Sequence, residues 1–152
     1  MIDLKNKTAI TWSLLFVGLS NHYLTLKEVI KIINSCYHDL SCDDDSLIEI
    51  NVNEDNQDYI LNMLKNKGSK DENVGLRKWK YLYLLSVKES SESLKDKLRE
   101  IEKYWSNFGY PDEWKNFIYY MPNDNTNSEE GVYNNFLNYL KEEEQAIDTL
   151  PK

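Results

Sequence analysis

The sequence predicts an all-α protein, a single compact domain of about six to seven helices over residues 1–152, and three observations carry that prediction. Only five Gly and three Pro punctuate 152 residues, far fewer than the turns of an all-β sandwich require. Apolar residues recur at three- and four-residue intervals in segment after segment. Helix-starting residues stand where those intervals begin. The apolar share of 41%, with 12% aromatic residues, supplies a core and is too high for a disordered chain. A domain of this length buries about 70% of the surface of its unfolded chain.

The elements follow in order. Thr11 caps a helix reaching Ser20, with Trp12, Leu15, Phe16 and Leu19 on its expected inner face. Thr25 and Glu28 form a capping box, and Leu26, Val29, Ile30, Ile33, Cys36, Tyr37 and Leu40 continue as a helical stripe. Ser41 to Asp45 is a polar break. Leu47 to Val52 alternates like a strand, yet no second alternating run exists to pair with it. A lone strand leaves its backbone groups unpaired, so an extended connector or a helical turn is expected near 47–52. A helix from about Asn53 to Lys67 ends at Gly68, with Tyr59, Ile60, Met63 and Leu64 inward. The next, Asp71 to Lys88, is apolar nearly all round its centre, as a buried helix is.

Ser90 to Ser93 cap a helix carrying Leu94, Leu98, Ile101, Trp105 and Phe108, and Gly109 stops it. Pro111, with Asp112 and Glu113 behind it, opens a short helix. Residues 123–128 form a loop. The last helix runs from about Glu129 to Ile147 around Val132, Tyr133, Phe136, Leu137 and Leu140. No internal repeat or linker divides the chain.

Charge is distributed unevenly. Between Ile32 and Leu64 stand eight acids, Asp39, Asp43, Asp44, Asp45, Glu49, Glu54, Asp55 and Asp58, and no Lys or Arg. The whole chain has 26 acids and 18 bases, so the remainder holds 18 of each and the net −8 belongs to this tract. Such a concentration repels nucleic acid and anionic membranes and attracts basic partners at salt-dependent rates. It reads either as solvated surface or as a partner-binding face made by Asp43, Asp44, Asp45, Glu49, Glu54, Asp55 and Asp58.

Catalytic and metal motifs are absent from the sequence. Cys36, His38 and Cys42 fall within seven residues, but on a helix positions 36 and 38 point about 200° apart. They read as a buried thiol, Cys36, in the core stripe and a surface His. A calcium loop starting at Asp43 would need Gly at its sixth position and meets Ile48. No phosphate loop, nucleophile elbow or zincin helix occurs. No cofactor is expected. Arg77 to Lys80 flanks Trp79 on a core helix and makes no nucleic-acid footprint. Two cysteines and no leader-like start point to a cytoplasmic protein with reduced thiols.

Several segments together resemble a bacterial family known as domain of unknown function family 2247. They are Ile10 to Leu15 with Gly18-Leu19, Lys78 to Leu85, Phe108-Gly109-Tyr110-Pro111-Asp112, and Phe117-Ile118-Tyr119-Tyr120-Met121-Pro122. The resemblance spans the chain from Ile10 to the final helix and is most specific between Phe108 and Pro122. It implies a compact bacterial cytoplasmic protein and transfers no catalytic residue.

Three functional expectations follow, the third being a scaffold or oligomer component, which calls for a large apolar surface patch. The first is a non-enzymatic binding protein of the immunity or antitoxin type, whose acids steer it to a basic toxin surface around a buried aromatic anchor. The second is a small-molecule binder or enzyme using a groove at the aromatic corner, lined by Tyr110, Asp112, Glu113, Trp114, Tyr119 and Tyr120, with a buried carboxylate in it. Oligomeric state does not follow from the sequence.

Overall fold

Eight α-helices and one 3₁₀ helix, with no strand, make up the described residues, which in this computed structural model are 4–68, 72–119 and 128–149. The α-helices are α1 (Leu4–Lys7), α2 (Trp12–Ser20), α3 (Leu26–Cys36), α4 (Asp44–Val52), α5 (Gln57–Lys67), α6 (Glu72–Glu89), α7 (Leu94–Asn107) and α8 (Glu129–Asp148). The 3₁₀ helix, Asp112–Phe117, lies between α7 and α8. The chain is all-α, as its composition and spacing require. Its contacts gather into two units, the first reaching Trp79 and the second beginning at Lys80, so that α6 contributes to both. Asp71 and residues 123–127, which the sequence places in a helix start and a loop, lie outside the described residues.

In the first unit α2 is the inner element. Thr11 caps it, its hydroxyl accepting from the Leu14 N–H at 3.2 Å. The face expected from Trp12, Leu15, Phe16 and Leu19 is only half of what the helix buries. Leu14, Leu15, Val17, Gly18 and Leu19 are buried, whereas Trp12 and Phe16 are only partly covered. The helix is apolar nearly all round, and such a helix is enclosed rather than laid on a surface. Helices α3 and α5 pack on it. From α6, the Trp79 indole N–H donates to the Leu14 carbonyl at 2.9 Å, pairing a buried donor. Gly18 makes room for that ring: a Cβ there would stand 2.7 Å from Trp79 Cζ2 and 2.8 Å from Leu24 Cδ1.

The capping box of α3 forms as the sequence dictates. The Thr25 hydroxyl accepts from Glu28 N–H at 3.1 Å, and the Glu28 carboxylate accepts from Thr25 N–H at 2.9 Å. Val29, Ile30, Ile33 and Cys36 are buried. Helix α5 starts later than expected, at Gln57 behind an Asn56 cap, because residues 53–55 are turns.

The second unit is built on aromatic packing. Ser93 caps α7, which buries Leu98, Ile101 and Trp105. At its end Gly109 (φ +81°) and Tyr110 (φ +60°) take left-handed conformations. The Tyr110 N–H then donates to the Trp105 carbonyl at 2.8 Å, closing the terminus. The Trp105 indole in turn donates to the Pro111 carbonyl at 3.0 Å. The next six residues wind as a 3₁₀ helix, in which side chains three apart stack on one face. Trp114 and Phe117 are three apart and both fully buried. Phe117 meets Phe136 and Tyr139 of α8 at ring-centroid distances of 5.6 and 5.0 Å. The buried Asn135 amide ties α8 to this turn, donating to the Asn116 carbonyl at 2.9 Å.

Gly18→Ala should cost about 1–3 kcal/mol, because the added methyl meets the Trp79 ring with no free space. Urea unfolding followed by tryptophan fluorescence measures it, and an unchanged midpoint would contradict this packing.

Candidate functional site

The acidic tract folds into the end of α3, α4, the turns after it and the start of α5, and all eight of its carboxylate residues are exposed. Helix α4 exists because its acids suit a helix start. Asp43 is the N-cap, its carboxylate accepting from the Ser46 N–H at 2.7 Å. Asp44 and Asp45 follow in the first turn, where the positive end of the helix dipole favours them. The backbone bond to Ser46, above all, holds the Asp43 carboxyl below its usual range, and its side-chain bond adds to this.

The segment 47–52 is therefore helical throughout, not an extended connector. Its alternation places only Ile50 inward, at 1% exposure. Helix α4 packs on α3, and Asn34 and Asn51 exchange side-chain amide hydrogen bonds of 3.0 Å in both directions. The Tyr59 hydroxyl of α5 donates to Glu49 at 3.3 Å. Burial first, then the neighbouring Glu49 charge, pushes the Tyr59 pKa up.

Two residues of the tract went unnoticed in the sequence. Ile48 is 62% exposed and Val52 77% exposed, four residues apart on the outer side of α4. The signal was present as an aliphatic pair at helical spacing beside Asp44, Asp45 and Glu49, but strand-like alternation masked it. Beside these acids the ring of Tyr59 is half-buried and its hydroxyl is bonded to Glu49.

Among the described residues none of the eight carboxylates takes part in an ion pair. Lys67 reaches the edge of the tract. Lys67 of α5 holds its ammonium 5.5 Å from the centre of the Trp12 ring, and its field is a minor contribution at Asp43. Lys67 and Asp39 also line a cavity of about 490 Å³ with Ile10, Trp12 and Leu40, a size within the ligand-pocket range.

At the aromatic corner, Tyr110 and Tyr119 are exposed, while Trp114 is fully buried in the core of its unit. Its indole N–H has no partner among the described residues. Asp112 and Glu113 are exposed rather than buried: Asp112 pairs with Lys115 at 2.9 Å and Glu113 with Lys80 at 3.8 Å. Tyr120 lies outside the described residues. The described part of this corner therefore brings no carboxylate into a groove. The positive φ of Tyr110 has an architectural reason, since its ring packs edge-on against Trp105 at 4.8 Å.

Cys36 and Cys42 are buried and unbridged, and His38 is exposed. Burial raises the Cys42 pKa most, and Asp43 and Asp44 raise it further against the opposing field of Lys67. No group of three His, Cys, Asp or Glu that could hold a metal ion occurs among the described residues, and no helix there is long and apolar enough to cross a membrane.

Residues 2–144 match the family model described as "Uncharacterized protein conserved in bacteria (DUF2247)", and the chain belongs to that family. No curated protein and no solved structure matches it.

A carboxyl whose folded pKa is depressed contributes stability that is present above its unfolded value of about 4 and lost as pH falls through the folded value. Amide protection at the start of α4 should therefore weaken below about pH 4. Asp43→Asn, which keeps a capping acceptor, should retain the helix and lose the share of that pH dependence due to Asp43. Hydrogen exchange by NMR reads both outcomes.

Proposed function

We propose that this DUF2247 protein is a non-enzymatic binding module of the immunity or antitoxin type, acting in the cytoplasm by masking the basic surface of a toxin. One observation carries the reading: the eight acids of a tract without a base are all exposed, and among the described residues none of them is in an ion pair. Unpaired surface carboxylates sum to a field that extends about a Debye length, roughly 8 Å at physiological salt. A field of that kind raises encounter rates with cationic proteins by about 10–10³-fold. Asp43, Asp44, Asp45, Glu49, Glu54, Asp55 and Asp58 supply it.

A binding face also needs to hold its shape, because ordering side chains on association costs affinity. The Asp43 cap and the paired amides of Asn34 and Asn51 support α4 in that role. The alternative, chemistry at the aromatic corner, has less support, since Asp112 and Glu113 are exposed and ion-paired.

The test begins with the gene beside this one, expected to encode a basic toxin that the chain binds and neutralises in co-expression. Raising salt from 50 to 500 mM should slow association by about tenfold or more. The combined variant Asp44→Asn, Asp45→Asn, Glu49→Gln, Asp55→Asn should slow it comparably at low salt, with little change in thermal stability. Unchanged association rates in stopped-flow measurements would overturn the reading, as would a neighbouring toxin that binds without salt dependence.

A further inference from the structure

We infer that the outer side of α4 docks against a basic amphipathic helix of the partner, with Ile48 and Val52 as its apolar anchors; the inference rests on the acidic-face reading above and specifies its occupant. Asp44, Ile48 and Val52 stand in one i, i+4 row, and Asp45 and Glu49 in the row beside it. Ile50, by contrast, is covered. The exposed side of this nine-residue helix is thus an aliphatic ridge rimmed by carboxylates.

Single exposed aliphatics are ordinary on protein surfaces. Three features set this pair apart. The two side chains are adjacent on one ridge, they are the exposed large aliphatics of the described residues, and both are β-branched, so little rotamer freedom remains to be lost on contact. A ridge of i, i+4 residues fits the groove between corresponding rows of a second helix. Charge complementarity selects the kind of helix: an apolar stripe meets Ile48 and Val52, and flanking Lys or Arg meet Asp44, Asp45 and Glu49. The base-free tract around the ridge disfavours an acidic partner and a second copy of the same face.

Two synthetic helical peptides of equal length and charge test this on the full chain. One carries a Leu stripe among lysines; in the other every Leu is Ala. At 150 mM salt the Leu peptide should bind one to one, about tenfold or more tighter than the Ala peptide, with amide shift changes centred on residues 44–52. The double variant Ile48→Ser, Val52→Ser should erase that tenfold difference while keeping the circular dichroism and unfolding midpoint of the parent. Asp45→Asn with Glu49→Gln should weaken both peptides alike and keep their ratio, which separates anchoring from charge. Equal affinity of the two peptides, or a ratio that survives the double Ser variant, overturns the anchor and leaves the acidic face standing. No binding of either peptide at 20 mM salt overturns both. A dimer of the chain that the double Ser variant dissociates assigns the ridge to a second copy and overturns the helix partner.

Discussion

The first unit depends on the place that α2 makes for Trp79. A ring of that size fits only because Gly18 carries no side chain, and its buried N–H is tolerable only because the Leu14 carbonyl receives it. With α2 enclosed on that side by α6, α3 and α5 occupy others. Helix α4 is carried at one remove: it packs on α3, tied there by the Asn34–Asn51 pair, and buries Ile50. The most electrically distinctive surface of the chain is therefore held by a short helix with a single fully buried side chain. Its order depends as much on caps and amide pairs as on apolar burial.

Elements with strong local signals were legible before any coordinates. The Thr25 and Glu28 capping box, the Ser93 cap and the left-handed Gly109 each stand where residue chemistry puts them. Two kinds of element were harder to read. For α2, the assumption of one wet face fails, because an enclosed helix has no polar side from which to set the phase. For α4, alternating Ile48, Ile50 and Val52 imitated a strand. What decided the matter was the cap chemistry just upstream, where Asp43 binds the Ser46 N–H and two more acids fill the first turn.

The candidate site divides the same way. That the acids would be exposed was legible, because charged side chains without partners do not enter a core. That no base among the described residues would pair with them was not, since nothing local determines where Lys67 or any other remote cation lands. Lys67 comes to the rim, yet its ammonium is placed over Trp12. The aliphatic ridge escaped notice because its meaning depends on helical phase. At the other end of the chain, the described part of the aromatic corner is packed into its unit. Trp105, Tyr110 and Pro111 interlock, and Trp114 and Phe117 fill the core of their unit.

Cys42 lies at the start of this acidic surface, its thiol 3.6 Å from the Asp43 carbonyl. Thiolates, not thiols, react with oxidants and alkylating agents. Burial and the adjacent negative charges together disfavour the thiolate here. Its place in the fold therefore shields this sulfur from such reagents: burial does most of it, and the carboxylates of Asp43 and Asp44 add their share against the opposing field of Lys67.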